Sequence, residues 1–260
     1  MVSESALRVG TFIGMLLIMG VAETLWPRRI LTTSKQHRWF SNLSMVVIAT
    51  TLVRLLIPIA PAALALYCQD KGFGLLNLLA FPAWFNFIFS VLILDMLIYW
   101  QHVFFHQMPL LWRIHRMHHA DVDIDASTGI RFHPIEIFLS MLIKLCAVAI
   151  LGAPAAAVVT FEILLNGCAT FNHANVRLPI KLDKLLRLLM VTPDMHRVHH
   201  STDMSEANMN YGFNFPWWDR MFRTYKAQPD RGHEDMFIGL NIFREPKFIR
   251  LTQMLSIPFI

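Results

Sequence analysis

Residues 101–119 read QHVFFHQMPLLWRIHRMHH, and the spacing of the histidines in this stretch decides how the rest of the chain is read. His102 and His106 are four residues apart, and His115, His118 and His119 follow the pattern i, i+3, i+4. The same triplet recurs far downstream in HRVHH, as His196, His199 and His200. Residues so spaced share one face of a helix. A face that carries two or three imidazoles beside very apolar sequence is costly unless something pairs with it, and the usual partner of several neutral imidazoles is a transition metal. These three sets hold more histidines than one tetrahedral or octahedral ion takes, so the spacing points to two metal ions. His133 and His173 lie singly between the sets and are further candidate ligands.

The chain has 260 residues, of which 55% are hydrophobic and 16% charged, with a mean hydropathy of +0.45. That balance is far too apolar for an ordinary soluble domain and predicts an integral membrane protein. The length suits a single domain over residues 1–260, because the clustered histidines span its middle. The net charge is +5, yet no block of five or more Lys/Arg occurs. The basic residues therefore read as topology signals and headgroup contacts, and nucleic acid is not an expected partner. Cys68, Cys146 and Cys168 are widely spaced and form neither a disulfide framework nor a C-x-x-C metal motif. The last two fall in apolar segments, which predicts small buried side chains.

A first span covers about residues 7–26 and stops at Pro27; its apolar run exceeds a signal-peptide core, so it reads as uncleaved. The connector that follows carries Arg28, Arg29, Lys35, His37 and Arg38 without an acid, which places it on the cytoplasmic side. A second span over 43–67 contains Arg54, with Pro58 and Pro61 kinking or breaking its outer half. Gly72 and Gly74 mark a turn. The third span, 83–105, then delivers His102 and His106 to the cytoplasmic surface. Pro109 breaks the helix and restarts it for the second histidine set. Asp121, Asp123 and Asp125 read as a solvated acidic loop. Pro134 suits a first helical position, with Glu136 near the favourable end of the dipole. A hairpin over 135–170 turns at Gly152-Ala-Pro154, and an amphipathic helix over 178–189 suits the membrane surface. The predicted fold is all-α: a membrane helical bundle whose cytoplasmic helical cap, residues 106–133 and 171–260, carries a histidine-rich dimetal site.

Asp95, Tyr99, His102 and His106 recur at intervals of four, three and four residues, a polar stripe down the end of the third span. Asp95 and Tyr99 are accordingly candidate catalytic residues, since an acid inside a span is a functional-site hypothesis by default. Asp95 either takes the free ring N–H of a metal-bound imidazole or pairs with Arg54.

The set H-x-x-x-H, H-x-x-H-H and a distant second H-x-x-H-H resembles the fatty acid hydroxylase and sterol desaturase superfamily. So do RFHPIE at 131–136, FNHAN at 171–175 and NYGFNFPWWDRMFRTY at 210–225. The resemblance implies a non-haem centre of two iron ions held largely by histidine, which activates O2 as co-substrate to hydroxylate or desaturate a lipid. A membrane zinc hydrolase is the rival enzyme class, but H-E-x-x-H is absent: His233-Glu234 meets Phe237 where the second histidine belongs. A non-enzymatic metal or haem carrier is the other rival, and triplets one helical turn long do not suit the single facing histidines that haem takes. Each O2 turnover needs two external electrons, and the chain has no dinucleotide loop or cysteine set for an iron–sulfur cluster. The expected partner is therefore an electron donor, a cytochrome or ferredoxin with its reductase, docking at Arg197, Arg220 and Arg223.

Overall fold

The computed structural model describes residues 4–79 and 81–260. Eight helices come first: α1 (Glu4–Leu25), α2 (Lys35–Leu56), α3 (Pro61–Asp70), α4 (Leu75–Leu78), α5 (Ala83–Gln107), α6 (Pro109–His119), α7 (Pro134–Leu151) and α8 (Ala155–Asn172). Shorter ones complete the cap: α9 (Ile180–Leu186), α10 (Pro193–His199), α11 (Met204–Ala207), α12 (Trp217–Met221), α13 (Gly232–Asp235) and α14 (Leu251–Ser256). The described residues contain no strand, only two isolated backbone bridges, Pro27 to Val176 and Ser201 to Ile238. Among the described residues, five helical stretches are long and apolar enough to cross a membrane: Ala6–Leu25, Lys35–Leu78, Ala83–Gln107, Pro134–Leu151 and Ala155–Asn172. Inward residues of the last four, among them Leu94, Ile98, Val148 and Phe161, pack into one core. Leu17, Val47, Leu55 and Ile150 stay exposed on the outside, as lipid-facing residues do.

The second span differs from expectation at both ends. It begins at Lys35, where the Ser34 side chain caps the helix by accepting from the His37 amide. These early turns are polar because Arg38 and Asn42 are buried against the cap and not in lipid. At the other end Ile57 turns extended, and the chain restarts with Pro61 in the first turn of α3, so residues 43–67 form two helices. The turn after α3 then packs on the α7–α8 turn, with Gly74 and Gly152 both at positive φ. A Cβ on Gly74 would lie 2.4 Å from the Gly152 Cα, so this end of the bundle closes only with glycine there.

The opposite end carries the cap. The connector 26–34 docks on it: the Thr32 and Thr33 amides donate to Asp123, at 2.9 and 2.8 Å, and Arg29 donates to the Met236 carbonyl at 3.0 Å. The basic connector and all three histidine sets therefore share one face of the bundle.

Asp121, Asp123 and Asp125 are not solvated. All are buried, and the fully buried Arg38 forks onto both oxygens of Asp121 at 2.9 Å while reaching Asp125 at 2.6 Å. The reason is the short acidic run's role as counter-charge: Arg38 enters the cap from α2 and has no water to solvate it. Burial alone raises the Asp121 carboxyl, but Arg38 and Arg131 beside it outweigh that and hold it below the usual carboxylate range. The expected helix over 178–189 contracts to α9. Its Ile180, Leu182 and Leu185 remain exposed, while Asp183 turns inward to Arg187 at 2.7 Å. Among the cysteines, Cys68 is buried, whereas Cys146 is exposed on the bundle's outer surface.

Candidate metal centre

The last turns of α5 present His102 and His106 on one face. The helix closes at Met108, and Pro109 opens α6 in the opposite sense, so His115 and His119 return against that face. The paired Nε2 atoms are 3.1 Å apart in both His102–His115 and His106–His119. α10 begins in the same way, with Thr192 as cap and Pro193 in the first turn, and it brings His199 to 3.0 Å from His102. His118 looks out on the other side of α6. There it meets His173 at 3.2 Å, and His196 lies 3.1 Å from His173.

The histidines thus divide into two buried groups: His102, His106, His115, His119 and His199 in one, and His118, His173, His196 and His200 in the other. Within each group one ligand atom per residue lies within 4.8 Å of all the others. Burial pushes His115, His118, His119, His196, His199 and His200 well below the usual imidazole range, and neighbouring histidines push the same way. For His173 burial brings the value down to about 3, against the Ala169 carbonyl that favours its proton. These rings are neutral at physiological pH.

Neutral rings in this arrangement suit a bound cation. Nδ1 of His102 donates to the Tyr211 carbonyl at 2.8 Å, and Nδ1 of His199 to the Met209 carbonyl at 2.8 Å. Carbonyls only accept, so both protons sit on Nδ1 and the facing Nε2 atoms carry bare lone pairs. The second group repeats this: His118 donates to Arg131 and His173 to Ala169, at 3.1 and 2.7 Å, which leaves their Nε2 lone pairs opposed. Two lone pairs at about 3 Å repel unless an electrophile lies between them. His200 has no hydrogen-bond partner on either ring nitrogen among the described residues, and Nδ1 of His106 and His196 also lacks one. Buried polar atoms of this kind are otherwise paired. The donor set fits metal binding.

Among the other predicted residues, Asp95 neither meets a histidine nor pairs with Arg54, which is exposed. It accepts from the Trp218 indole at 2.7 Å. Tyr99 bonds the Thr224 hydroxyl at 2.9 Å. Both residues clamp the 210–225 segment onto α5, and that segment supplies the Tyr211 carbonyl under His102. His133 stands outside both groups, with Nδ1 capping α7 at the Ile135 amide and Nε2 3.3 Å from the Leu255 carbonyl. The residue that meets a cluster imidazole through a carboxylate is Glu136, 2.7 Å from His115 Nδ1. Its position two residues after Pro134 had read only as a helix-dipole feature. Arg197 is fully buried and bonded to Asp194, so of the three expected docking arginines only Arg220 and Arg223 are exposed.

A cavity of about 320 Å³ reaches the first group, with His102, His115 and Glu136 in its wall. Each of the five apolar stretches contributes: Phe12, Ala49, Ile98, Met141 and Leu165 are examples.

A bundle of apolar spans topped by a helical cap, with a cavity that reaches one of two buried histidine clusters, defines a histidine-cluster membrane protein. The sequence profile of the fatty acid hydroxylase family matches residues 87–224, just over half of the chain, and the chain belongs to that family. It is 28% identical over 157 residues to the ornithine lipid hydroxylase OlsE of Rhizobium tropici, covering 60% of this chain and 46% of the relative. It is 27% identical over 160 residues to the alkylglycerol monooxygenase of Homo sapiens, covering 61% and 34%. A very-long-chain aldehyde decarbonylase of Oryza sativa subsp. indica, GL1-4, is 24% identical over 172 residues, covering 63% and 27%. The aligned region spans less than half the length of each of these relatives. No solved structure matches the chain.

Proposed function

We propose that the protein is an O2-dependent membrane oxidoreductase that hydroxylates or desaturates a lipid with two iron ions. The observation that carries this is the opposition of imidazole lone pairs in both groups beside a cavity within the bundle. The relatives named as lipid hydroxylase and alkylglycerol monooxygenase support the same class of reaction. The first ion would be held by His102, His106, His115, His119 and His199, the second by His118, His173, His196 and His200.

Reduced iron with O2 supplies an oxidant able to remove hydrogen from an unactivated C–H bond, which no side chain does alone. The chain's own residues orient and exclude. Glu136 and the Tyr211, Met209, Arg131 and Ala169 carbonyls fix the tautomers, so every fixed ring presents its basic Nε2. Phe105, Phe132 and Phe213 wall the cavity beside His102 and His115 and keep bulk water from the reacting carbon. The single domain spans 1–260, and the cap lies on the cytoplasmic side, following the positive charge of the connector. Lipid mass spectrometry of cells carrying the intact chain, against cells carrying His118→Ala, tests the function. One lipid class should gain an oxygen or lose two hydrogens only with the intact chain. Identical lipid profiles would overturn it.

A further inference from the structure

The cavity does not end in hydrocarbon. Glu136, Ser140 and Lys144 stand at i, i+4 and i+8 on α7 and all line it; Glu162 and Asn166 answer them from α8. Ser140 accepts from Gln101 at 2.7 Å, and the Gln101 carbonyl oxygen has no partner among the described residues. Lys144 donates to Glu162 at 2.7 Å, and Arg8 holds the other oxygen of that carboxylate. Lys144 and Glu162 each lie ten residues from the cap end of their helices, about 15 Å deep, near the middle of a bilayer core. Their side chains are only 12% and 5% exposed.

A lysine at that depth is expensive and calls for a function. Its ammonium has three N–H groups, and among the described residues only Glu162 takes one. Glu162 meanwhile serves two cations, Lys144 and Arg8; the second acid at Arg8, Glu4, has a side chain 49% exposed. The network pairs two cations with two acids, Glu162 and Glu4, and Lys144, the cation in the cavity wall, keeps N–H donors that no described residue takes. A purely hydrocarbon occupant would leave them unpaired.

We propose that Lys144, held in place by Glu162, is a deep anchor for the carboxylate of a single-chain lipid whose chain runs along the cavity toward His102 and His115. This rests on reading the cavity as the substrate site. Glu136 marks the level of His115, and Lys144 is eight residues further along the same helix, about 12 Å away. The anchor thus presents a carbon far down the chain, not one beside the headgroup.

The test is binding of tritiated palmitate to the detergent-solubilised full chain, with unlabelled methyl palmitate as competitor. Lys144→Met should weaken palmitate at least tenfold, and Lys144→Arg should restore it to within about threefold. Glu162→Gln should keep or tighten binding, because Lys144 no longer shares its charge. Methyl palmitate should compete at least tenfold less well than palmitate. Unchanged binding in Lys144→Met, equal losses in Lys144→Met and Glu162→Gln, or equal competition by the ester would each overturn the anchor. Binding is read without turnover, so Lys144-dependent palmitate capture with unchanged cellular lipids would sink the oxygenase reading alone. Lipid oxidation with no such dependence would sink the anchor alone.

Discussion

At the scale of the residue, the site is built from tautomers. His115 meets the Glu136 carboxylate at 2.7 Å, among the described residues the one cluster imidazole held through a carboxylate and not a carbonyl. Glu136→Gln keeps the shape and removes the charge, and such partners are worth about 10- to 100-fold in metal affinity. Metal titration of that variant should show a loss of this size at the histidine group that holds His115, with helix content unchanged by circular dichroism. The buried rings also set the response to acid. In the folded protein they resist protonation, His173 down to about 3, whereas unfolded histidine titrates near 6.5. Between those values the unfolded state binds more protons, so stability falls as pH drops below about 6.5. Protons also compete with metal for Nε2, which adds the same sign. Metal content and melting temperature should both hold from pH 8 to 7 and decline together from pH 6.5 to 5; constancy over that lower range would contradict neutral, metal-binding rings. The helical spacing of the three histidine sets was readable because i, i+3, i+4 is local. Glu136 was not readable as a partner of His115, since its contact depends on α6 and α7 crossing.

At the scale of the element, the spans follow from hydrophobicity and proline placement, which act locally: Pro109, Pro134 and Pro193 each stand in the first turn of a helix. What failed was the acidic loop. The run Asp121, Val122, Asp123, Ile124, Asp125 has no periodicity that tells buried from solvated, and its partner Arg38 lies 83 residues before Asp121. Arg38→Met should therefore cost about 3 to 5 kcal/mol, because it leaves buried carboxylates without their cation. Arg54→Met, at the exposed end of α2, should stay within about 0.5 kcal/mol of the parent. Thermal unfolding in detergent compares the two, and a similar small shift in both would show that the Arg38 cluster carries no such weight. Close packing of Gly129 belongs to the same scale. A Cβ there would lie 2.3 Å from the Ala169 carbonyl oxygen, the acceptor of His173 Nδ1. Gly129→Ala should thus reduce metal in the second group before it unfolds the bundle, seen as roughly half the metal content at a retained circular dichroism spectrum.

At the scale of the whole molecule, the question is where electrons enter. Both histidine groups are buried between the spans and the cap, so the electron donor we propose would approach through the cap. The 210–225 segment links the cap surface to the first group: Arg220 and Arg223 are exposed on it, Trp218 bonds Asp95, and the Tyr211 carbonyl holds His102. Arg197 is excluded from docking by burial, which leaves Arg220 and Arg223 of the three expected arginines. A carrier attracted in this way associates faster at low ionic strength, and the advantage is screened over about 10 Å at 0.1 M salt. Purified protein with lipid, O2 and reduced nicotinamide should be inactive, and a small cytochrome or ferredoxin with its reductase should restore turnover. Arg220→Glu combined with Arg223→Glu should lower the carrier-dependent rate at least fivefold at low salt, shrink that difference at high salt, and leave metal content unchanged. Sustained turnover with nicotinamide alone would remove the need for a carrier, and an undiminished rate in the double variant would move its docking site off this face of the cap.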